Sequence, residues 1–250
     1  MTPEIVNYDQ RPELWKRFPE VFDGILPEYN LHGDLMTGYW DRLHEVFGRY
    51  LLVLVGPDDE IMATARGIPN RWDGTRAGLG PGIDAAIAAG FALHDTGGEP
   101  NTLCALGIEV APAHQGVGLG TVMLEALRAT AREAGFAQVI VPIRPTWKDR
   151  YPLVPIERYA TWTTDGGLPF DPWLRVQVRA GGAISGATPT SSLITGTVAD
   201  WESWTGMRFP DSDDYVFPGG LATLRIDRDA DLGTYWEPSV WVVHESGLVR

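Results

Sequence analysis

Ile108-Glu109-Val110-Ala111-Pro112-Ala113-His114-Gln115-Gly116-Val117-Gly118-Leu119-Gly120 decides how this chain folds. An apolar run, Leu103–Val110, leads in and reads as a buried strand. A helical pattern from about Gly118 to Ala134 leads out. Leu119, Val122, Met123, Ala126, Leu127 and Thr130 form one stripe, and Gly135 is a natural stop. Three glycines alternate where that helix begins. Glycine inside a helix costs about 1 kcal/mol relative to alanine, so their presence needs a reason. Bare backbone lets a ligand lie close, and the free N–H groups of a helix start favour an anion. A pyrophosphate suits such a cradle. A nucleoside-triphosphate loop would need Lys-Ser/Thr after its last glycine, whereas Gly120 precedes Thr121-Val122. A dinucleotide fingerprint would need a third glycine where Thr121 stands.

Upstream, Tyr50–Val55 and Ile61–Arg66 are apolar runs around the turn-forming Gly56-Pro57-Asp58-Asp59, a hairpin. Ile5–Tyr8 reads as a short first strand. Helices are expected over Pro12–Phe22, with Trp15, Phe18 and Phe22 on one face, and over Asp34–Phe47, with Leu35, Tyr39, Leu43 and Phe47. Residues 70–100 are rich in glycine and small side chains and read as an insertion or lid with a short helix at Ile83–Leu93. Downstream, Gln138–Ile143 is a strand. Residues 145–170 read as an aromatic insertion containing Trp147, Tyr151, Tyr159 and Trp162. Asp171 caps a helix begun by Pro172, which runs to about Arg179 before Gly181-Gly182. Ala183–Ile184, Leu193–Val198, Leu221–Ile226 and Val240–His244 are strand candidates. With no internal repeat or linker, residues 1–250 read as one domain.

Gln115, Gly118 and Gly120 make Gln-x-x-Gly-x-Gly, preceded by Val110-x-Pro112. This pattern, with a hairpin before it and a strand ending in Val141-Pro142-Ile143 after it, resembles the acyl-CoA signature of the GNAT superfamily of N-acyltransferases. The resemblance is firm over residues 50–145 and thins beyond residue 182. It implies an α/β fold with a mixed, mostly antiparallel sheet flanked by helices, here with an extended C-terminal part. It implies acetyl-CoA or another acyl-CoA as co-substrate. Gln115, Gly116, Val117, Gly118, Leu119 and Gly120 would take the pyrophosphate, Ile108 and Val110 would line the pantetheine, and the Val110 N–H would meet the oxyanion.

The superfamily commonly returns a proton to the leaving thiolate from a tyrosine about four residues before a helix-ending glycine. Aligning Gly181 with that glycine places Gln177 in the slot, and glutamine cannot donate as a phenol does. Tyr151 and Tyr159 are the substitutes. Strand alternation puts Cys104, Leu106, Ile108 and Val110 on one face and Glu109 on the other. Cys104 then reads as a small buried hydrophobe and Glu109 as the partner of a basic residue or the start of the loop. His94-Asp95, His114 and His244 read as loop surface, a solvated loop residue and a sheet-edge residue.

The chain carries 33 acidic and 20 basic residues, a net charge of −13 with no basic run, which argues against nucleic acid and favours a cationic acceptor. A lone cysteine and scattered histidines give no metal site, and no Gly-x-Ser-x-Gly marks a serine hydrolase. No stretch is long and apolar enough for a membrane span, so a cytoplasmic enzyme is expected. The strand-rich C-terminal part offers a surface for a homodimer. The leading reading is acyl transfer to a small-molecule amine. Thioester hydrolysis, decarboxylation, transfer to a carrier-protein thiol, and a non-catalytic acyl-CoA-binding module remain open alternatives at this point.

Overall fold

The computed structural model describes residues 3–22 and 25–247. Its elements in chain order are β1 (Glu4–Asn7), α1 (Pro19–Phe22), α2 (Met36–Phe47), β2 (Leu51–Val55), β3 (Ile61–Asn70), α3 (Ile83–Asp95), β4 (Thr102–Val110), α4 (Leu119–Glu133), β5 (Gln138–Ile143), α5 (Ile156–Tyr159), α6 (Pro172–Arg179), β6 (Ala183–Gly196), α7 (Val198–Thr205), β7 (Asp214–Tyr215), β8 (Leu224–Asp227) and β9 (Leu232–Glu245). The strands form one sheet in the order β1-β2-β3-β4-β5-β9-β8-β7, with β6 along β9. Every pairing is antiparallel except β4 with β5.

Both faces of the sheet are covered, which explains the unbroken apolar run of β2. Leu51, Val53 and Val55 enter one core cluster with Leu43, Phe47, Ile87 and Phe91. Leu52 and Leu54 enter the other, with Met123, Leu127, Ala131 and Leu174. The first face therefore carries α2 and α3, the second α4 and α6. A third cluster, around Tyr29, Trp201, Phe217 and Tyr235, joins α7, β8 and the far half of β9.

Several expectations need revision. The helix expected over Pro12–Phe22 is a tight 3-10 turn, Pro12–Arg17, followed by the single turn of α1. The break falls at Phe18-Pro19, where proline lacks the N–H that a continuous helix needs. Phe22's side chain lies outside the described residues. The segment read as a lid is a core layer: Ile87 and Phe91 of α3 are buried, and Phe91 stacks on Tyr39 at 4.5 Å between ring centres. On α4 the buried stripe is Met123, Leu124, Leu127 and Ala131, while Val122 is 42% exposed. The two short strands at 183–184 and 193–198 are one 14-residue strand, β6. Its ladder with β9 is interrupted between Thr188↔Ser239 and Ser192↔Glu237. Pro189 and Pro238 sit in that interruption, where neither can donate to a ladder. The sequence reading assigned no element to α7, although Thr197 and Asp200 form a reciprocal capping box before it.

Two buried polar groups hold α6 in place. Asp171, 1% exposed, accepts at Oδ1 from the N–H of Trp173 (2.9 Å) and Leu174 (3.1 Å), and at Oδ2 from the N–H of Trp147 (2.8 Å) and the Tyr159 hydroxyl (2.9 Å). One turn from the other end, Gln177 Oε1 lies 2.7 Å from Nε2 of buried His244 on β9. Asp171→Ala removes a helix cap and orphans buried donors, and should lower unfolding free energy by about 2–4 kcal/mol in urea titrations. Burial, with Arg128 adding to it, pulls the His244 imidazole down to about pKa 4, against about 6.5 when unfolded. Between these values the unfolded chain binds a proton that the folded chain refuses. Stability should therefore fall as pH drops from about 6.5 to about 4, and His244→Gln should flatten that segment of the profile.

Candidate active site

β4 and β5 pair only over Thr102↔Gln138, Leu103↔Val139 and Cys104↔Ile140. Beyond Cys104 the two strands part, while β4 stays paired to β3 and β5 to β9. A bulge in β4 accompanies the parting: Arg66 faces Gly107 but Gly67 faces Ala105, so Leu106 is the extra residue. It changes which side chains share a face. Cys104 and Leu106 belong to the α2/α3 side, whereas Ile108 and Val110 pack on the α4 side. The simple alternation expected for Cys104, Leu106, Ile108 and Val110 fails at this one residue. Ala111 donates its N–H to Met62 O at 3.0 Å. By ladder alternation Glu109 also turns its backbone to β3, and the N–H and C=O of Ile108 and Val110 turn into the gap.

The chain leaves β4 through Pro112–His114 and enters the glycine tract. Gly116 and Gly118 have φ of +78° and +89°, a region that suits glycine, and a Cβ on either would meet nothing within 4 Å. Gly118 is the cap residue of α4, with no side-chain cap. Among the described residues, the backbone N–H groups of Gly116, Val117, Gly118, Leu119 and Gly120 have no hydrogen-bond acceptor; the first bonded amide of the helix is Thr121, to Gly118 O. Five successive free donors at an exposed helix start fit a diphosphate. Gly120 has a different task, since Trp173 of α6 lies 3.2 Å from where its Cβ would be. Gln115 folds back and donates from Nε2 to Val110 O at 3.1 Å, joining the tract to the strand.

Two ion pairs border the gap on the α2/α3 side. On the β3/β4 border, Glu109 accepts from Arg66, and from Thr64 Oγ1 at 3.0 Å; Arg66 also lies over the Trp40 ring. Glu109 thus has the basic partner the sequence suggested. On the β5 border, Arg144 pairs through Nε with Glu237 and donates from Nη2 to Tyr29 Oη (3.0 Å) and Gly219 O (2.7 Å). Glu237 also accepts from the Tyr235 hydroxyl, whose oxygen in turn accepts from Leu221 N–H at 2.9 Å. Lys148, 1% exposed, donates to the carbonyls of Tyr151, Pro152 and Leu221; burial lowers its pKa to about 8, with Glu237 opposing. The sequence reading passed over Arg144 and Glu237. A charged residue directly after the apolar Val141-Pro142-Ile143 was the available signal.

The remaining candidates fall in different surroundings. Tyr159 is 1% exposed, its hydroxyl is committed to Asp171, and burial reinforced by Asp171 raises its pKa. Tyr151 is half-buried against Trp162, Phe170 and Tyr159, and its hydroxyl makes no hydrogen bond among the described residues. Gln177 sits away from the gap, because its partner His244 faces Val139, where β4 and β5 are still paired. Cys104 is fully buried, which pushes its thiol far up. His114 Nε2 is 2.8 Å from Glu60 Oε1, His94 packs edge-on to Phe47, and Asp95 pairs with Arg42.

Known proteins agree with this architecture. The loading GNATL domain of CurA from Lyngbya majuscula superposes with a TM-score of 0.61 at 15% identity, covering 98% of each chain. The GphF GNAT-like decarboxylase, solved in complex with isobutyryl-CoA, superposes with a TM-score of 0.61 at 21% identity, covering 97% of this chain and 99% of that one. At these identities the likeness is one of fold. An arginine N-acetyltransferase, avaD of Aspergillus versicolor, is 30% identical over 264 aligned positions, spanning 94% of this chain and 91% of the relative. Residues 11–146 match the acetyltransferase (GNAT) family, and with a free-amide cradle beside a parted strand pair, the chain belongs to that family of acyl-CoA-dependent acyltransferases.

Proposed function

We propose that this chain transfers an acetyl group from acetyl-CoA to the amine of a small cationic acceptor such as arginine. The observation that carries the cofactor half is the run of five unbonded amides, Gly116–Gly120, at the start of α4. They would hold the diphosphate on the α4 side of the sheet. The gap between β4 and β5 then gives the pantetheine arm a route to the α2/α3 side, along the backbone of Ile108 and Val110. The Val110 N–H would donate to the thioester oxygen as it becomes an oxyanion, the kind of fixed dipole that stabilises such intermediates most. The acceptor half rests on the arginine N-acetyltransferase relative and on the acidic charge balance of −13.

The amine attacks as the free base, so its proton must leave before the carbon–nitrogen bond forms; the thiolate of CoA is then released and takes up a proton. Tyr151 is the residue we assign to supply that proton, because its hydroxyl is uncommitted whereas that of Tyr159 is bonded to buried Asp171. Glutamine at 177 is no obstacle, since its side chain is occupied by His244.

Incubating the protein with acetyl-CoA and arginine, while following thiol release and the mass of the acceptor, tests the reading directly. Thiol release without an acetylated product would instead mean hydrolysis, and the amine reading would be lost. Gly118→Val introduces a branched side chain where φ is positive and the ligand must lie. It should weaken acetyl-CoA binding at least about tenfold and so, at 100 times the wild-type Kd, cut the ligand's stabilisation from about 2.7 to about 1.4 kcal/mol or less. Tyr151→Phe should lower kcat by about 100-fold or more with acetyl-CoA affinity retained; an unchanged kcat would move the acid elsewhere.

A further inference from the structure

The network at the end of β5 has more cation than its local structure needs. Arg144 and Lys148 contribute two positive charges, and Glu237 is the carboxylate they share. The three carbonyls around Lys148 use its ammonium donors. Arg144 is held differently. Glu237, Tyr29 and Gly219 occupy Nε and Nη2, but Nη1 has no hydrogen-bond partner among the described residues, and 29% of the side chain remains exposed. Its fork is therefore fixed on three sides and open on the fourth, at the mouth of the gap. Ser239 lies next to it along β9, since Val240 faces Ile143. Its Oγ is buried and has no hydrogen-bond partner among the described residues, on a residue only 3% exposed. By alternation Ser239 shares the face of Trp241. An open guanidinium nitrogen and an unsatisfied hydroxyl on neighbouring residues, beside a network with one surplus positive charge, are the makings of an anion site inside a strongly acidic protein.

Resting on the amine-acylation reading above, we propose that Arg144, with Ser239 beside it, receives the carboxylate of an amino-acid acceptor and so places the neighbouring amine at the thioester. A carboxylate can accept from the open Nη1 and from the Ser239 hydroxyl, and in an α-amino acid it lies one carbon from the attacking nitrogen. The site would make the enzyme select amino acids over the amines that lack only the carboxylate, a selection the acidic surface cannot provide.

L-Arginine and agmatine, which lacks only the carboxylate, separate the possibilities. Steady-state kinetics with saturating acetyl-CoA should show the wild-type protein favouring arginine by about 10–100-fold in kcat/KM. Arg144→Met should raise KM for arginine and bring the arginine-to-agmatine ratio towards one. Arg144→Lys keeps the charge beside Glu237 but not the fork, and should fall between; it also decides the matter if the methionine variant fails to fold. Equal use of both amines by the wild type, or an equal loss on both in the variants, would overturn the proposal. A preference for succinyl-CoA over acetyl-CoA that Arg144→Met abolishes would assign the carboxylate to the acyl donor and overturn the acceptor assignment. Absence of turnover with any amine would refute the parent reading, whereas turnover blind to the carboxylate would refute this one alone.

Discussion

Two parallel strands that separate halfway along their length leave backbone donors and acceptors without partners in the middle of a sheet. Buried groups of that kind are costly, and native structures almost never tolerate them without a replacement partner. Here β4 and β5 share three residue pairs and then diverge. The divergence is enforced from both outer sides. β5 is held to β9 over its whole length, Gln138↔Glu245 to Ile143↔Val240, and β4 is held to β3 through Ala63↔Val110. With Leu106 bulged and Pro142 contributing no N–H, the inner edges have no register in which to close. Gln115 on Val110 O shows that the parted edge attracts donors even from its own chain.

The glycine tract adds a second constraint that must agree with the first. Helix α4 has to start beside the parted strands with its amides exposed, so its first turn cannot be stabilised by a capping side chain. Anchoring comes instead from the rest of the helix, through the buried Met123, Leu124, Leu127 and Ala131. It is reinforced by Arg128, which donates to Glu245 O on β9 at 2.9 Å and to Ala180 O past α6 at 3.4 Å. Trp173 of α6 presses on Gly120, and Asp171 at the head of α6 binds the segment that follows β5. The cradle is thus rigid through packing behind it, leaving its donors free in front.

How much of this could be read from the residues depended on how local the cause was. The tract Gln115–Gly120 was legible because glycine at positive φ and an amphipathic helix after it are properties of neighbouring residues. The hairpin β2–β3 and the capped helix at Asp171 were legible for the same reason. The bulge at Leu106 was not, because a bulge is a mismatch of register between β3 and β4 and leaves no mark on either strand alone. Strand β9 was seen only over Val240–His244, since Gly233, Glu237 and Pro238 interrupt the apolar pattern in the half that pairs with β8 and β6. Tyr159 carried the same sequence signal as Tyr151. What distinguishes them is the distant Asp171, which takes the hydroxyl of one and leaves the other free.

The C-terminal part follows from the same geometry rather than standing apart from it. Its aromatic cluster could form a small core on its own account, with Trp201 and Tyr235 fully buried. Yet three of the groups that fix Arg144 are tied to that cluster. Tyr29 packs edge-on to Phe217 and Tyr235, Gly219 follows Phe217, and Glu237 lies two residues beyond Tyr235. A residue at the end of β5, beside the gap, is therefore oriented by chain some 75 to 115 positions away. Parting two strands opens a mouth, but an open mouth has no shape until something outside the sheet fixes the side chains at its rim. In this chain the long β9 does so, running from its pairing with β5 out to the terminal cluster and carrying Glu237 between the two.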